Sequence, residues 1–189
     1  MAIIGLLGGS FNPAHIGHIQ ISSYAKKQLK LDELWWIITP HNPNKNKSDL
    51  RPLEERMQYA KQIDKPDYIR VKTLEEDGEN NYSSLLIKKL RKEYKHDKLI
   101  WLMGADNLES FHLWYNWQDI IKMINIAVFP RNNALEHPNI LQKEYSQYFI
   151  SPDKASLLRY KNPPYWTILK MKKINISATE IRENANNIK

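Results

Sequence analysis

The chain has 189 residues, 42% hydrophobic and 26% charged, with a formal charge of +7 at pH 7 and no cysteine. That is enough apolar material for one domain with a proper core, read here as residues 1–189, and the lack of thiols excludes disulfides, thiolate metal sites and cysteine nucleophiles. The longest apolar stretches, 3–7 and 34–38, fall far short of the roughly 20 residues that span a bilayer, and no basic region precedes the first as it would in an export signal, so a cytoplasmic protein with no membrane partner is expected.

In chain order, Ile3 to Leu7 reads as a fully apolar strand, Gly8 to Pro13 as a turn-rich loop, and Ile16 to Leu29 as a helix with apolar Ile16, Ile19, Tyr24 and Leu29. The alternation recurs with strand Glu33 to Thr39, a Pro/Asn/Lys loop from Pro40 to Pro52 and a helix from Leu53 to Ile63. Strand Ile69 to Thr73 precedes helix Ser83 to Tyr94; strand Leu99 to Met103 precedes a helical stretch from Asn107 to Ile124; Ile126 to Phe129 is another strand. From Arg131 to Pro164 the pattern decays, leaving one helix near Asn139 to Tyr148, after which Trp166 to Met171 reads as a last strand and Ile176 to Asn187 as a last helix that Ser177 or Thr179 can cap. Buried strands alternating with amphipathic helices predict an α/β fold: a doubly wound, Rossmann-like parallel sheet with helices on both faces. Ligands of such sheets bind beyond the carboxyl ends of the strands where strand order reverses, which singles out the loops 8–18, 40–52 and 104–117 and the segment entering the last helix.

The positive charge predicts attraction to anions without naming them. Lys and Arg are scattered, as in Lys26-Lys27, Lys88-Lys89 and Arg91-Lys92, and read as solvated faces. A basic nucleic-acid-binding module, the rival reading of another class, would cluster them on one face with aromatics interleaved, so no nucleic-acid partner is expected.

The first loop carries the chemistry: Gly8-Gly9-Ser10-Phe11-Asn12-Pro13-Ala14-His15-Ile16-Gly17-His18. Gly8 and Gly9 let backbone amides approach an anion with no Cβ in the way, and the helix start adds a favourable partial charge. His15 and His18, three apart, can face one side over that anion, with Gly17 leaving room between them. The glycine spacing is not the dinucleotide fingerprint. A zinc-type site would need a third ligand that the neighbourhood does not supply, so no metal held by protein residues is expected.

This loop resembles the HxGH motif shared by the nucleotidylyltransferase superfamily and the class I aminoacyl-tRNA synthetases. Lys170-Met171-Lys172-Lys173 is reminiscent of the synthetase lysine loop, but the chain leaves no room for an anticodon-binding domain. The second half of the resemblance is Ile176-Ser177-Ala178-Thr179-Glu180-Ile181-Arg182, similar to the ISSTxIR motif of the adenylyltransferases. It implies that Ser177 and Thr179 donate to the ATP phosphates and that Arg182 offers its guanidinium fork. Gly104-Ala105-Asp106-Asn107 resembles the GADN turn of the bacterial nicotinate-nucleotide adenylyltransferases, which implies that Gly104 and Asp106 hold the adenine and ribose of ATP. Trp114 matches the tryptophan that in this branch stacks on the nicotinate ring, with Trp117 close behind.

Two segments depart from the family pattern. Pro40 to Lys45 replaces a Pro-Pro-His-Lys type segment, with Lys45 left as the cation for the mononucleotide phosphate and Lys47 beside it. Tyr82-Ser83 matches a Tyr-Thr step of the nicotinate pocket, with Leu85 or Leu86 where an acidic residue normally follows; Asn12 stands where many members have aspartate.

The resemblance therefore implies an adenylyltransferase joining ATP and nicotinate mononucleotide, with Mg²⁺ arriving on ATP. His15, His18 and Arg182 are the catalytic residues, Gly8, Gly9, Ser10, Phe11, Gly17, Gly104, Asp106, Ser177 and Thr179 the ATP contacts, and Lys45, Ser83 and Trp114 the mononucleotide contacts. Another member of the superfamily, such as a phosphopantetheine adenylyltransferase, is the nearest alternative.

Overall fold

The computed structural model describes residues 1–40, 50–73, 82–130 and 139–171. Among these, seven strands form one sheet in the order β3-β2-β1-β4-β5-β7-β6, with every pair parallel. The strands are β1 (Ile3–Gly9), β2 (Glu33–Ile38), β3 (Ile69–Lys72), β4 (Lys98–Gly104), β5 (Asn125–Phe129), β6 (Phe149–Ile150) and β7 (Trp166–Ile168). The helices are α1 (Ile16–Leu29), α2 (Leu53–Gln62), α3 (Ser83–Glu93), α4 (Asp106–Ser110), α5 (Trp117–Met123) and α6 (Ile140–Glu144). The doubly wound sheet expected from the sequence is therefore present.

Alternate residues of each central strand feed one of two cores, because successive side chains of a strand point to opposite faces. Ile3 and Leu7 of β1, Trp36 and Ile38 of β2 and Ile100 and Leu102 of β4 pack with Ala25 and Leu29 of α1 and Ala60 of α2. Ile4, Leu6, Trp35, Ile37, Trp101 and Met103 pack with Ile87 and Leu90 of α3, Leu108 of α4 and Ile120 and Ile121 of α5. Both faces being buried is what made the strands read as continuous apolar runs.

Four expectations need correction. Ile16 does not anchor α1: it is 49% exposed, and the buried stripe is Gly17, Ser22, Ala25 and Leu29, of which the first three are small and let the helix lie close to the sheet. The single helical stretch 107–124 is broken into α4, a 3₁₀ turn over Phe111–Leu113 and α5. Trp114 is extended and Asn116 sits at φ 50°; Trp114 and Trp117 both pack edge-on against Phe111, and the three-residue spacing of these aromatics suits a 3₁₀ turn. The helix 139–148 is a short α6 capped by Asn139, then a 3₁₀ turn over Ser146–Tyr148. The last strand ends at Ile168 rather than Met171. The unpatterned stretch also hides the two-residue β6 and a 3₁₀ run over Pro152–Arg159.

Candidate active site

From β1 the chain steps outward to β2 and β3, whereas β4 and all later strands lie on the other side of β1, so strand order reverses between β1 and β4. Leu7 pairs with Leu102 in register, and continuing that register two residues places Gly9 level with Gly104. The loops 8–18 and 104–117 therefore leave the sheet side by side at the switch point, where such folds bind ligands.

Close packing explains the glycines. A Cβ at Gly8 would lie 2.9 Å from the Trp101 ring, and one at Gly104 would lie 2.2 Å from Asp106 Oδ1. The Asp106 carboxylate is thus folded back over the end of β4, at the first residue of α4.

The two histidines cap α1 with their own rings. Gly17 N–H donates to His15 Nδ1 (3.1 Å), and His15 N–H donates to His18 Nδ1 (3.2 Å). This is a reciprocal capping box built from imidazoles in place of the usual hydroxyl and carboxylate or amide. Because each Nδ1 accepts an N–H, the bonds assign the ring proton of each neutral imidazole to Nε2. The arrangement therefore turns two Nε2–H donors away from the helix backbone, with ring centroids 4.0 Å apart. It also amends the sequence reading: the Gly17 amide is engaged by His15 Nδ1, and the His18 amide by the His15 carbonyl (2.9 Å), so these two first-turn amides are not open to an anion.

The histidines rest on a buried support. The His18 ring lies 4.6 Å from Phe11, which stacks on Trp36 at 5.2 Å. Trp36 Nε1 donates to Ser22 Oγ (2.8 Å), and Ser22 Oγ donates to the His18 carbonyl (2.7 Å). Phe11 reaches this position from a left-handed backbone, φ 45°, a conformation that costs a non-glycine residue energy and that burial of its ring (2% exposed) offsets. Asn12, buried, accepts from Arg51 N–H (3.3 Å), so the amide holds the loop to the segment entering α2.

The second loop lies beside the start of α3. Tyr82, the residue before α3, stacks on Tyr115 at 4.5 Å and 28°, which brings Ser83 into the neighbourhood of Trp114. Trp114 is half-buried, edge-on to Phe111, and its Nε1 is buried without a hydrogen-bond partner. Among the described residues, the start of α3 carries no side-chain cap.

Of the residues singled out from the sequence, the fold brings together Gly8, Gly9, Ser10, Phe11, His15, Gly17 and His18, and sets Gly104 and Asp106 beside them across the β1–β4 boundary. Ser83 and Trp114 share the adjoining corner. Lys45, Ser177, Thr179 and Arg182 lie outside the described residues. Lys170 follows β7 and is tied to α1, with Gln28 Nε2 donating to its carbonyl (2.7 Å) and its N–H donating to Gln28 Oε1 (2.8 Å). Sequence reasoning missed Arg56, which is 2% exposed and whose guanidinium meets the carbonyls of Ser10, Thr39, Pro40 and Arg51. The signal was there: Arg56 falls on the apolar stripe of α2, among Leu53, Met57 and Ala60.

A parallel doubly wound sheet with a histidine-capped glycine loop at its switch point defines a nucleotidyltransferase of the HxGH class. The chain matches the profile of the cytidylyltransferase-like family over residues 6–184, and it belongs to that family. A protein of Agrobacterium fabrum named as a probable nicotinate-nucleotide adenylyltransferase is 36% identical over 184 residues, covering 96% of this chain and 98% of the relative. One of Rhizobium johnstonii bearing the same name is 35% identical, covering 97% and 93%. The fold is also that of a nicotinic acid mononucleotide adenylyltransferase of Plasmodium falciparum solved with NaAD: TM-score 0.72 at 17% identity, covering 97% of this chain and 83% of that one.

Proposed function

We propose that the protein transfers the adenylyl group of ATP to the phosphate of nicotinate mononucleotide, giving nicotinate adenine dinucleotide and pyrophosphate. The observation that carries this reading is the pair of imidazoles that cap α1 through their Nδ1 atoms at the switch point, which puts the proton of each neutral ring on Nε2, the atom assigned here to a substrate phosphate. The relatives' names supply the acceptor.

The mechanism follows from the charges. A phosphomonoester with a second pKa near ~6 is largely dianionic at neutral pH, so the nucleophile needs no general base and no covalent enzyme intermediate. One of its oxygens attacks the α-phosphorus in line. The bond from that phosphorus to the bridging oxygen breaks, and pyrophosphate leaves with the electron pair. The protein's part is positioning and neutralisation: His15 and His18 donate to the α-phosphate and the leaving group, amides of the loop 8–11 hold the chain of phosphates, and Asp106 accepts from a ribose hydroxyl. Ser177, Thr179 and Arg182 complete the grip on the triphosphate, and Lys45 serves the mononucleotide phosphate. Imidazoles engaged through Nδ1 are poor company for a hard cation, and a Mg²⁺ carried on ATP keeps its water and phosphate ligands; it would neutralise phosphate charge.

At the other corner, Trp114 stacks on the pyridine ring. The uncapped start of α3, at Ser83, offers backbone N–H groups and a partial positive charge to the ring's carboxylate. This favours nicotinate over nicotinamide.

Pyrophosphate release is the test, with ATP and Mg²⁺ and with nicotinate mononucleotide, nicotinamide mononucleotide or phosphopantetheine offered separately. The expected result is the highest kcat/KM with the nicotinate compound. Turnover with phosphopantetheine alone would discard the Trp114 and Ser83 assignments and keep the histidine chemistry; no turnover with any acceptor would return attention to nucleic acid, which a gel-shift titration would detect.

A further inference from the structure

The mechanism above leaves one buried charge without a task. Arg56 Nε donates to the Arg51 carbonyl (2.8 Å), Nη1 to Ser10 (2.6 Å) and Thr39 (2.9 Å), and Nη2 to Pro40 (2.9 Å). Among the described residues no carboxylate pairs with it. Burial pushes its pKa below the ordinary arginine value, the mark of a cation held out of water. Carbonyl dipoles satisfy its hydrogen bonds without cancelling its charge, so the ligand-free protein carries a net positive charge directly behind the phosphate loop.

The geometry says where that charge acts. The only cis peptides among the described residues are Asn12-Pro13 and Pro163-Pro164, so the Ser10–Phe11 peptide is trans, and its C=O and N–H point in opposite directions. With the Ser10 carbonyl drawn onto Nη1, the Phe11 N–H is aimed away from Arg56. A cation on the carbonyl also polarises the peptide and strengthens that N–H as a donor. The same guanidinium holds Thr39 and Pro40, where the chain leaves β2, so these two residues are fixed relative to the phosphate loop.

We infer that Arg56 is a positioning residue of the phosphate site: it aims and polarises the Ser10–Phe11 peptide toward a substrate phosphate, and its charge finds its counter-charge when that phosphate binds. The inference rests on reading loop 8–18 as the phosphate loop.

Arg56→Met and Arg56→Lys test it through kcat/KM for ATP and through the rise in Tm that pyrophosphate induces. Arg56→Met, folded by circular dichroism, should lose about 100-fold in kcat/KM, the scale of a lost anion-stabilising donor, together with most of the pyrophosphate-induced rise. Arg56→Lys keeps the charge and loses the fork; it should lose about tenfold and retain most of the rise. A purely structural arginine would instead lower the ligand-free Tm and leave the increment intact, so an unchanged increment in Arg56→Met overturns the proposal, as does kcat/KM within about threefold of the parent. If Arg56→Met does not fold, Arg56→Lys decides by the same limit on kcat/KM. A parent protein neither stabilised by pyrophosphate nor active would overturn the phosphate-loop reading itself, before any variant is made.

Discussion

The two helix starts at the site solve the same problem in opposite ways. Every helix opens with backbone N–H groups that have no partner within the helix. α1 closes its first turn with its own side chains, His15 taking the Gly17 N–H and His18 the His15 N–H. α3 starts at Tyr82 with no side-chain cap among the described residues. In the proposed reaction this difference separates two jobs: at α1 the cap holds two imidazoles in one tautomer, so that the rings would be the anion donors, and at α3 the backbone would be the donor, suited to a small carboxylate. On that reading a carboxylate subsite and a phosphate subsite arise from one piece of helix physics, according to whether the cap is present.

Separating the cap from the imidazole at α1 gives the largest effect. In His18→Gln the amide oxygen can still accept the His15 N–H, as glutamine does at this position of ordinary capping boxes, while the Nε2–H donor is lost. Thermal stability should stay near that of the parent and kcat should fall by about 10²-fold or more, as for loss of an oxyanion donor. A near-normal rate in steady-state assays would remove His18 from the chemistry and reduce it to a capping residue.

Adding the missing cap at α3 is the mirror experiment. Tyr82→Asp supplies a good N-cap acceptor and a negative charge where the pyridine carboxylate is placed. The Michaelis constant for nicotinate mononucleotide should rise about tenfold with that for ATP unchanged, and activity with nicotinamide mononucleotide should suffer less, since the new charge repels only the acid. Parallel losses with both mononucleotides would mean that the Tyr82–Tyr115 stack, rather than the open helix start, was what the substitution damaged.

Trp114→Ala probes the same corner through the ring. Stacking of an aromatic is worth about 0.5–1.5 kcal/mol beyond the area it buries, so the Michaelis constant for the mononucleotide should rise several-fold and exceed any change for ATP. Equal effects on both substrates would make Trp114 a packing residue of the 111–117 turn.

The same contrast governs what could be read from the sequence. The sheet and α1 to α3 were legible because central strands buried on both faces leave unbroken apolar runs, and the loop 8–18 because its glycines and histidines have few other uses together. The 111–117 turn was not: Phe111, Trp114 and Trp117 fit a helix about as well as the 3₁₀ spacing that the packing on Phe111 selects. β6 is two residues long and leaves no period to detect. The capping box was missed because imidazoles are unusual capping groups, and with it the occupation of the α1 amides. Arg56 was hidden by its type, since an arginine on a helix is read as solvated unless its place on the apolar stripe is weighed. Lys45, Ser177, Thr179 and Arg182 lie outside the described residues and rest on motif resemblance.

The smallest effect asks how far the support of α1 extends below the cap. Ser22→Ala removes the hydroxyl that links Trp36 Nε1 to the His18 carbonyl and leaves a buried indole N–H unpaired, a loss of about 1–3 kcal/mol in stability. The cap itself is untouched, so kcat should stay within about threefold of the parent, and urea unfolding should show the change more plainly than any rate. A loss of kcat as large as that of His18→Gln would mean that the pose of the imidazole is set by the Trp36–Ser22 relay as much as by the first turn. The contrast between the two helix starts would then reach into the core, because among the described residues nothing comparable supports α3: Ser84 Oγ, in its first turn, is buried without a hydrogen-bond partner.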